Sequence, residues 1–223
     1  MYLMQQEEIN TSAKTWEKLP DSFYRRGNVV AVTKELIGKI LVTAFNGALT
    51  AGRIVEAEAY DGPLDKASHS YNNRRTKRTE VMYAAGGVAY IYLCYGIHQM
   101  FNIVTNVTDV PNAVLIRAVE PLAGIDVMLQ RCNKTELNKH VTRGPGNVAK
   151  ALGLHTSQTG TSLQSDELYI AGDKYCYPEN EIIATPRIGV AYAAEHALLP
   201  YRFIVKGNQY VSGNKVNNVN SHQ

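Results

Sequence analysis

Residues 51–60, Ala-Gly-Arg-Ile-Val-Glu-Ala-Glu-Ala-Tyr, carry the side chains best able to do chemistry. On a strand, period two places Ile54, Glu56, Glu58 and Tyr60 on one face and Val55, Ala57 and Ala59 on the other. Two carboxylates thus share a face with an aromatic ring. An edge strand with solvated acids would show the same pattern. Against that, the opposite face is small and apolar, and the strand runs into Asp61-Gly62-Pro63, a loop signal that leads on to His69. Acid, ring and imidazole can then converge on a cleft. A carboxylate there can offset the charge of an oxocarbenium-like sugar while taking a proton from attacking water, the chemistry of glycosidic-bond hydrolysis. Residues i and i+2 of a strand lie about 6 to 7 Å apart, near the inverting range, so Glu56 and Glu58 also fit a carbohydrate glycosidase.

Two further groups of residues bear on the ligand. Arg74, Arg75, Lys77 and Arg78 put four cations around Thr76, a density suited to the phosphates of a nucleic-acid backbone, although a solvated loop would look alike. Tyr90, Tyr92 and Tyr95 precede Gly96 at an expected hairpin tip, where a flat side chain can enter a base stack and fill the space of an extruded nucleotide. Tyr90 reads better as core. Tyr92 and Asn102 share a face only if the loop has an odd length, such as residues 95–97, or carries a bulge, and that arrangement is the one expected. A non-catalytic module that stacks bases without turnover remains compatible with these features.

The elements that must position these groups follow from pattern. Residues 29–36 read as a short helix that Gly38 stops, 39–45 as an apolar strand, and Asn46-Gly47 as a two-residue hairpin into the acidic strand. A basic loop or short helix occupies 64–85. Residues 88–95 and 98–105 form a second pair of strands, and 113–119 another strand. Pro121 is expected to open an amphipathic helix reaching residue 131. A further helix covers 146–152, closed by Gly153, and a short strand covers 167–171. Strands joined mostly by turns imply an antiparallel or mixed sheet. Residues 1–20 and 206–223 read as arms or frayed ends.

Composition narrows the class without deciding it. The chain has 223 residues, 45% hydrophobic and 19% charged, with a formal net charge of +3, enough for one sizeable core or two small ones, one domain being the simpler reading, and a mild preference for polyanions. Three scattered cysteines, Cys94, Cys132 and Cys176, indicate neither a disulfide framework nor a metal site. No apolar run approaches the roughly 18 residues that span a bilayer, so an unexported protein without membrane contact is expected. Residues 144–149 fit G-x-G-x-x-A, but the preceding 139–142 are no buried parallel strand, which argues against a dinucleotide fold.

The run from Glu56 to Pro63, followed by Asp65, Ala67 and His69-Ser70, resembles the signature of the alkyladenine (3-methyladenine) DNA glycosylase family. Thr76-Lys77-Arg78 with Met82, Tyr90-Ile91-Tyr92 with Tyr95-Gly96, and Asn102 follow in the family's order. So do Leu115-Ile116-Arg117-Ala118 with Glu120-Pro121, Gly144-Pro145-Gly146, and residues 185–190 (TPRIGV), so that the resemblance spans roughly residues 20–212. It departs from the family's pattern at Thr79 and at Gln99-Met100. The resemblance implies a single mixed α/β domain over 20–212, with a curved, largely antiparallel sheet, flanking helices and a protruding hairpin. Residues 1–20 would form an arm and 213–223 a polar tail. It implies base-excision repair of alkylated or deaminated purines in double-stranded DNA, without metal or other cofactor, by a monomer located in the cytoplasm, or at the nucleoid in a bacterium. By position, Glu58 would be the water-activating base and Arg117 the arginine that helps hold the water. Tyr60, His69, Tyr92, Asn102 and Ala59 would form the base pocket, Tyr95 the inserted side chain, and residues 74–78 the backbone contacts. Glu56 has no catalytic counterpart, and with no Schiff-base lysine apparent, strand cleavage is not expected.

Overall fold

The computed structural model describes residues 16–213. In chain order these form β1 (Glu17–Lys18), α1 (Asp21–Tyr24), α2 (Val29–Leu36), β2 (Ile40–Phe45) and β3 (Ala48–Tyr60). Three 3-10 turns follow, at Gly62–Leu64, Tyr71–Asn73 and Glu80–Tyr83, and then β4 (Ala89–Cys94), β5 (His98–Thr105) and β6 (Asn112–Ala123). The remainder comprises α3 (Ile125–Cys132), α4 (Pro145–Leu152), β7 (Leu168–Gly172), β8 (Ile182–Thr185) and β9 (Arg202–Val205), with 3-10 segments at Lys139–Val141, Thr156–Gln158, Glu179–Glu181 and Ala191–Leu198.

All the strand pairs are antiparallel, in the order β1-β7-β2-β3-β6-β5-β4. The long β3 organises the sheet. Its first half pairs with β2 through the Asn46-Gly47 turn, both of whose residues adopt positive φ, as a two-residue hairpin requires. Its second half pairs with β9, which carries β8 on its far side, while β6 runs along the other edge. Helix α2 begins where the Asn28 side chain accepts the Ala31 N–H at 3.0 Å, and α4 begins on Pro145 and ends on left-handed Gly153. Their apolar positions, Val32 and Leu36 in α2 and Val148 and Leu152 in α4, join Val55, Ala57, Ala59, Phe101 and Ile116 of the sheet in one buried core. One face of β3 is thereby buried against helices, and its other face is left to the acids.

Three sequence expectations are corrected. Pro121 does not open a helix: β6 continues to Ala123 and α3 starts at Ile125, after left-handed Gly124. Pro121 lies opposite Gly52 and Ala123 opposite Ala51, so Leu122 is an extra residue, and a bulge is one of the few sites where a sheet accepts proline. Ile54 does not share the acidic face but lies in the core with Val55, because a second bulge interrupts the alternation there. Segments assigned by composition to the ends belong to the fold: β1 pairs with β7, Tyr210 is buried in the core and Ser212 is also buried. Residues 1–15 and 214–223 lie outside the described residues.

Candidate active site

Glu58 is fully buried. Its Oε1 accepts the Ile188 backbone N–H at 2.8 Å, and its Oε2 accepts the Tyr60 hydroxyl at 2.9 Å and Arg117 Nη1 at 3.3 Å. All three neighbours are donors, the arrangement that an ionised carboxylate requires. Burial, and after it the charge of Glu58, push the Tyr60 hydroxyl well above its ordinary pKa, so it stays a donor.

The register of β3 against β6 explains how Arg117 arrives there. Ile54 faces Val119 and Glu56 faces Ala118, so Val55 is extra on β3; Glu56 faces Ala118 and Ala57 faces Ile116, so Arg117 is extra on β6. Opposed bulges re-aim a side chain that regular pairing would fix, and the Arg117 guanidinium lies across both acids. Its Nε donates to Glu56 Oε1 at 2.9 Å. Glu56 also receives Arg202 Nε at 2.7 Å, the Ser212 N–H at 2.6 Å and the Ser212 hydroxyl at 2.8 Å. Burial alone would raise the Glu56 carboxyl, but Arg117, Arg202 and Ser212 together hold it below its ordinary value. Glu56 is therefore neither a solvated edge acid nor a carboxylic acid with a proton to give, and the paired-carboxylate glycosidase loses one of its two acids.

Next to Glu58 lie an outer cavity of about 740 Å³ and an inner recess of about 40 Å³ that share part of their walls. Tyr60, Ser68, His69, Tyr92 and Tyr192 line both, Arg117 lines the outer cavity and Asn102 the inner recess. Glu58 itself lies behind Tyr60 and Arg117. His69 arrives through a turn begun by Gly62, where φ is +47° and a Cβ would come within 2.6 Å of Asn112 Oδ1. Its Nδ1 pairs with the Tyr90 hydroxyl at 2.9 Å, and its ring meets that of Tyr92 edge-on at 4.7 Å. Burial first, and then Arg78 and Arg74, lower the His69 pKa to about 4, leaving a neutral ring at pH 7. Tyr90 is buried, as expected of a core residue, yet its hydroxyl orients the histidine.

Cys94 faces His98 across the hairpin, so the loop is the three residues 95–97 and Tyr92 and Asn102 share a face, as expected. Asn102 Nδ2 donates to the carbonyls of Tyr90 and Met100, which fixes which end of the amide is oxygen. Tyr95 stands at the tip, 91% exposed, with Ile97 also exposed. In the basic loop, Arg74, Thr76 and Arg78 line the outer cavity, and Arg78 lies over the Tyr92 ring at 4.8 Å. Lys77 is exposed and does not line it. Arg75 is tied to Glu80 and Asp109. Thr79 takes a structural part here: its hydroxyl accepts the Thr76 N–H at 2.8 Å and contacts the Arg74 carbonyl at 3.1 Å, which fastens the loop. Ala59 is not brought to the cavity. Period two turns its side chain into the core, and its backbone is held instead, the carbonyl accepting Arg187 Nη1 at 2.8 Å and the N–H donating to the Tyr201 carbonyl at 2.7 Å.

Residues 22–209 match the family described as Methylpurine-DNA glycosylase. The chain belongs to the methylpurine-DNA glycosylase family. It is 47% identical over 188 residues to a protein of Chlamydia felis, covering 84% of this chain and 95% of that one. It is 46% identical over 201 residues to a protein of Bacillus cereus strain AH820, covering 86% and 98%. Both carry the name "Putative 3-methyladenine DNA glycosylase". As a methylpurine-DNA glycosylase the protein is a DNA-repair hydrolase of N-glycosyl bonds. Among the described residues no group of His, Cys, Asp or Glu is arranged to hold a metal, and no helix is long and apolar enough to cross a membrane.

Several site residues of this glycosylase escaped the reading of the sequence. Ile188 acts through its backbone, which side-chain chemistry cannot announce. Arg187 forms a buried ion pair with Asp65 that joins the 187–198 segment to the loop carrying His69, although the Asp65 and TPRIGV motifs were each visible. Tyr192, whose hydroxyl reaches the Ala67 carbonyl at 3.1 Å, is a further aromatic wall. Arg202 and Ser212 sit in stretches that pattern alone leaves as loop or tail.

Proposed function

We propose that this glycosylase binds an alkylated purine that has been flipped from duplex DNA, and that Glu58 activates the water that displaces it. The observation that carries this reading is the fully buried Glu58 carboxylate, held by three donors directly behind Tyr60 and Arg117, which line an aromatic cavity rimmed by cations. Unstacking a base costs a few kcal/mol, less when it is damaged, so extrusion already favours lesions. A cationic alkylpurine then gains from the electron-rich faces of Tyr60 and Tyr92, while neutral His69 adds no opposing charge. The same positive charge makes the base a good leaving group. Glu58 takes the proton of the attacking water and offsets charge growing on the sugar, and Arg117 keeps carboxylate and water in place. The Asn102 side chain lines the recess and crowds the exocyclic amine of guanine, and Tyr95 fills the gap left in the stack. The names of the relatives support 3-methyladenine as a substrate.

The test is incubation of the purified protein with duplexes carrying one defined lesion each, with identification of the released base. Free 3-methyladenine and an abasic, uncut strand are expected. Release of sugar from oligosaccharides, or binding to DNA without release, would overturn the proposal.

A further inference from the structure

The contacts of Ser212 serve no purpose that burial alone explains. Its hydroxyl donates to Glu56 Oε1 at 2.8 Å and accepts Arg117 Nη2 at 3.3 Å, while its N–H donates to Glu56 Oε2 at 2.6 Å. The three nitrogens of Arg117 are thus each assigned: Nε to Glu56, Nη1 to Glu58 and Nη2 to Ser212. A guanidinium is planar, so three anchors fix both its position and its tilt. Two of the anchors compete. Glu56 Oε1 holds Arg117 at 2.9 Å and Glu58 Oε2 holds it at 3.3 Å, so without a counterweight the plane would turn toward Glu56. The Ser212 hydroxyl opposes this twice, by filling a lone pair of Glu56 and by holding the far corner of the guanidinium.

We infer that Ser212 is a positioning residue for catalysis, setting the guanidinium of Arg117 against Glu58 through a hydroxyl supplied from beyond residue 209, where the match to the family ends. This rests on the reading of Glu58 as the base. The site is therefore incomplete without a segment that returns from the end of β9, past buried Tyr210, to reach Glu56 and Arg117. Removal of the hydroxyl leaves much of that segment's anchorage intact. Arg202 Nη2 still donates to the Ser212 carbonyl at 2.8 Å, the Ser212 N–H still reaches Glu56, and Tyr210 still fills its place in the core. A defect in Ser212→Ala should consequently fall on the chemical step.

Single-turnover base release, affinity for the same lesion duplex and the unfolding midpoint of the full chain should be measured together for Ser212→Ala, Ser212→Thr and Glu58→Gln. Ser212→Ala is expected to release base about tenfold more slowly while affinity stays within about twofold, and Ser212→Thr to restore most of the rate. Should Ser212→Ala not fold, Ser212→Cys, close in volume but a poor donor, takes its place. Release at the wild-type rate overturns the inference, as does slowing that follows lost affinity or stability and is not relieved by threonine. An inert Glu58→Gln beside a full-speed Ser212→Ala removes Ser212 alone. Retained turnover in Glu58→Gln removes the base, and this role with it.

Discussion

His69 owes its neutral state to its neighbours, and this makes stability depend on pH in a definite direction. Its folded pKa of about 4 lies below the ordinary value of 6.5, with burial the first cause and the Arg78 and Arg74 charges following. Between those values the unfolded chain binds the proton and the folded chain does not, so stability is full above about pH 6.5 and is lost as pH falls toward 4. The slope from this one group is at most about 1.4 kcal/mol per pH unit. Thermal unfolding between pH 7 and 5 is expected to show it, and His69→Phe, which keeps a ring but no titratable nitrogen, to reduce it; an unchanged slope would contradict the assignment. Residue types had already nominated Glu58, Tyr60 and His69 for one site, and the family resemblance added Tyr92. The donors around Glu58 were not legible, because a backbone N–H such as that of Ile188 leaves no mark on composition.

At the scale of elements, the proposed function divides the work of holding DNA between the hairpin and the basic loop, and the division can be measured. Tyr95 is offered at an exposed three-residue tip, so Tyr95→Ala is expected to weaken binding to a lesion duplex about tenfold with the salt dependence unchanged. Lys77→Ala is expected to lower the slope of log affinity against log salt by about 1, with the loss of affinity greatest at low salt and fading as salt rises. Titrations at several salt concentrations separate the two, and identical slopes for both variants would sink the division. The 191–198 segment carries a cost of its own. Ala194 has φ +49° and ψ −126°, a conformation that glycine adopts without strain and alanine does not. Ala194→Gly is expected to raise stability by about 1 kcal/mol, read as a higher denaturant midpoint; a lower midpoint would show that the alanine is not strained. Local pattern gave α2, the β2–β3 turn and α4 because each rests on residues close in sequence, whereas the odd-length β4–β5 loop followed from the requirement that Tyr92 and Asn102 share a face. It failed at Pro121, since a proline ahead of an apolar run marks a helix start and a strand bulge equally well.

Over the whole molecule, what was hidden in the sequence is what lies far apart along it. Arg202 and Ser212 meet Glu56 across 146 and 156 residues, and β8 and β9 are four-residue strands whose identity depends on the edge that β3 offers them. Nothing local distinguishes Arg202 from a solvated charge until its partner is placed. The paired bulges of β3 and β6 were equally invisible, being properties of two strands together, yet they aim Arg117. The fold thus spends one face of its sheet on a helix-covered core and uses the other to bury four charges, two acidic and two basic, beneath an aromatic cavity. The purpose of that burial is the central claim, and it is tested by single-turnover release of 3-methyladenine from a one-lesion duplex by the wild-type protein and by Glu58→Gln. The variant should bind the duplex as tightly as the wild type and release base at least about a thousandfold more slowly. Release within a few-fold of the wild-type rate would contradict the account.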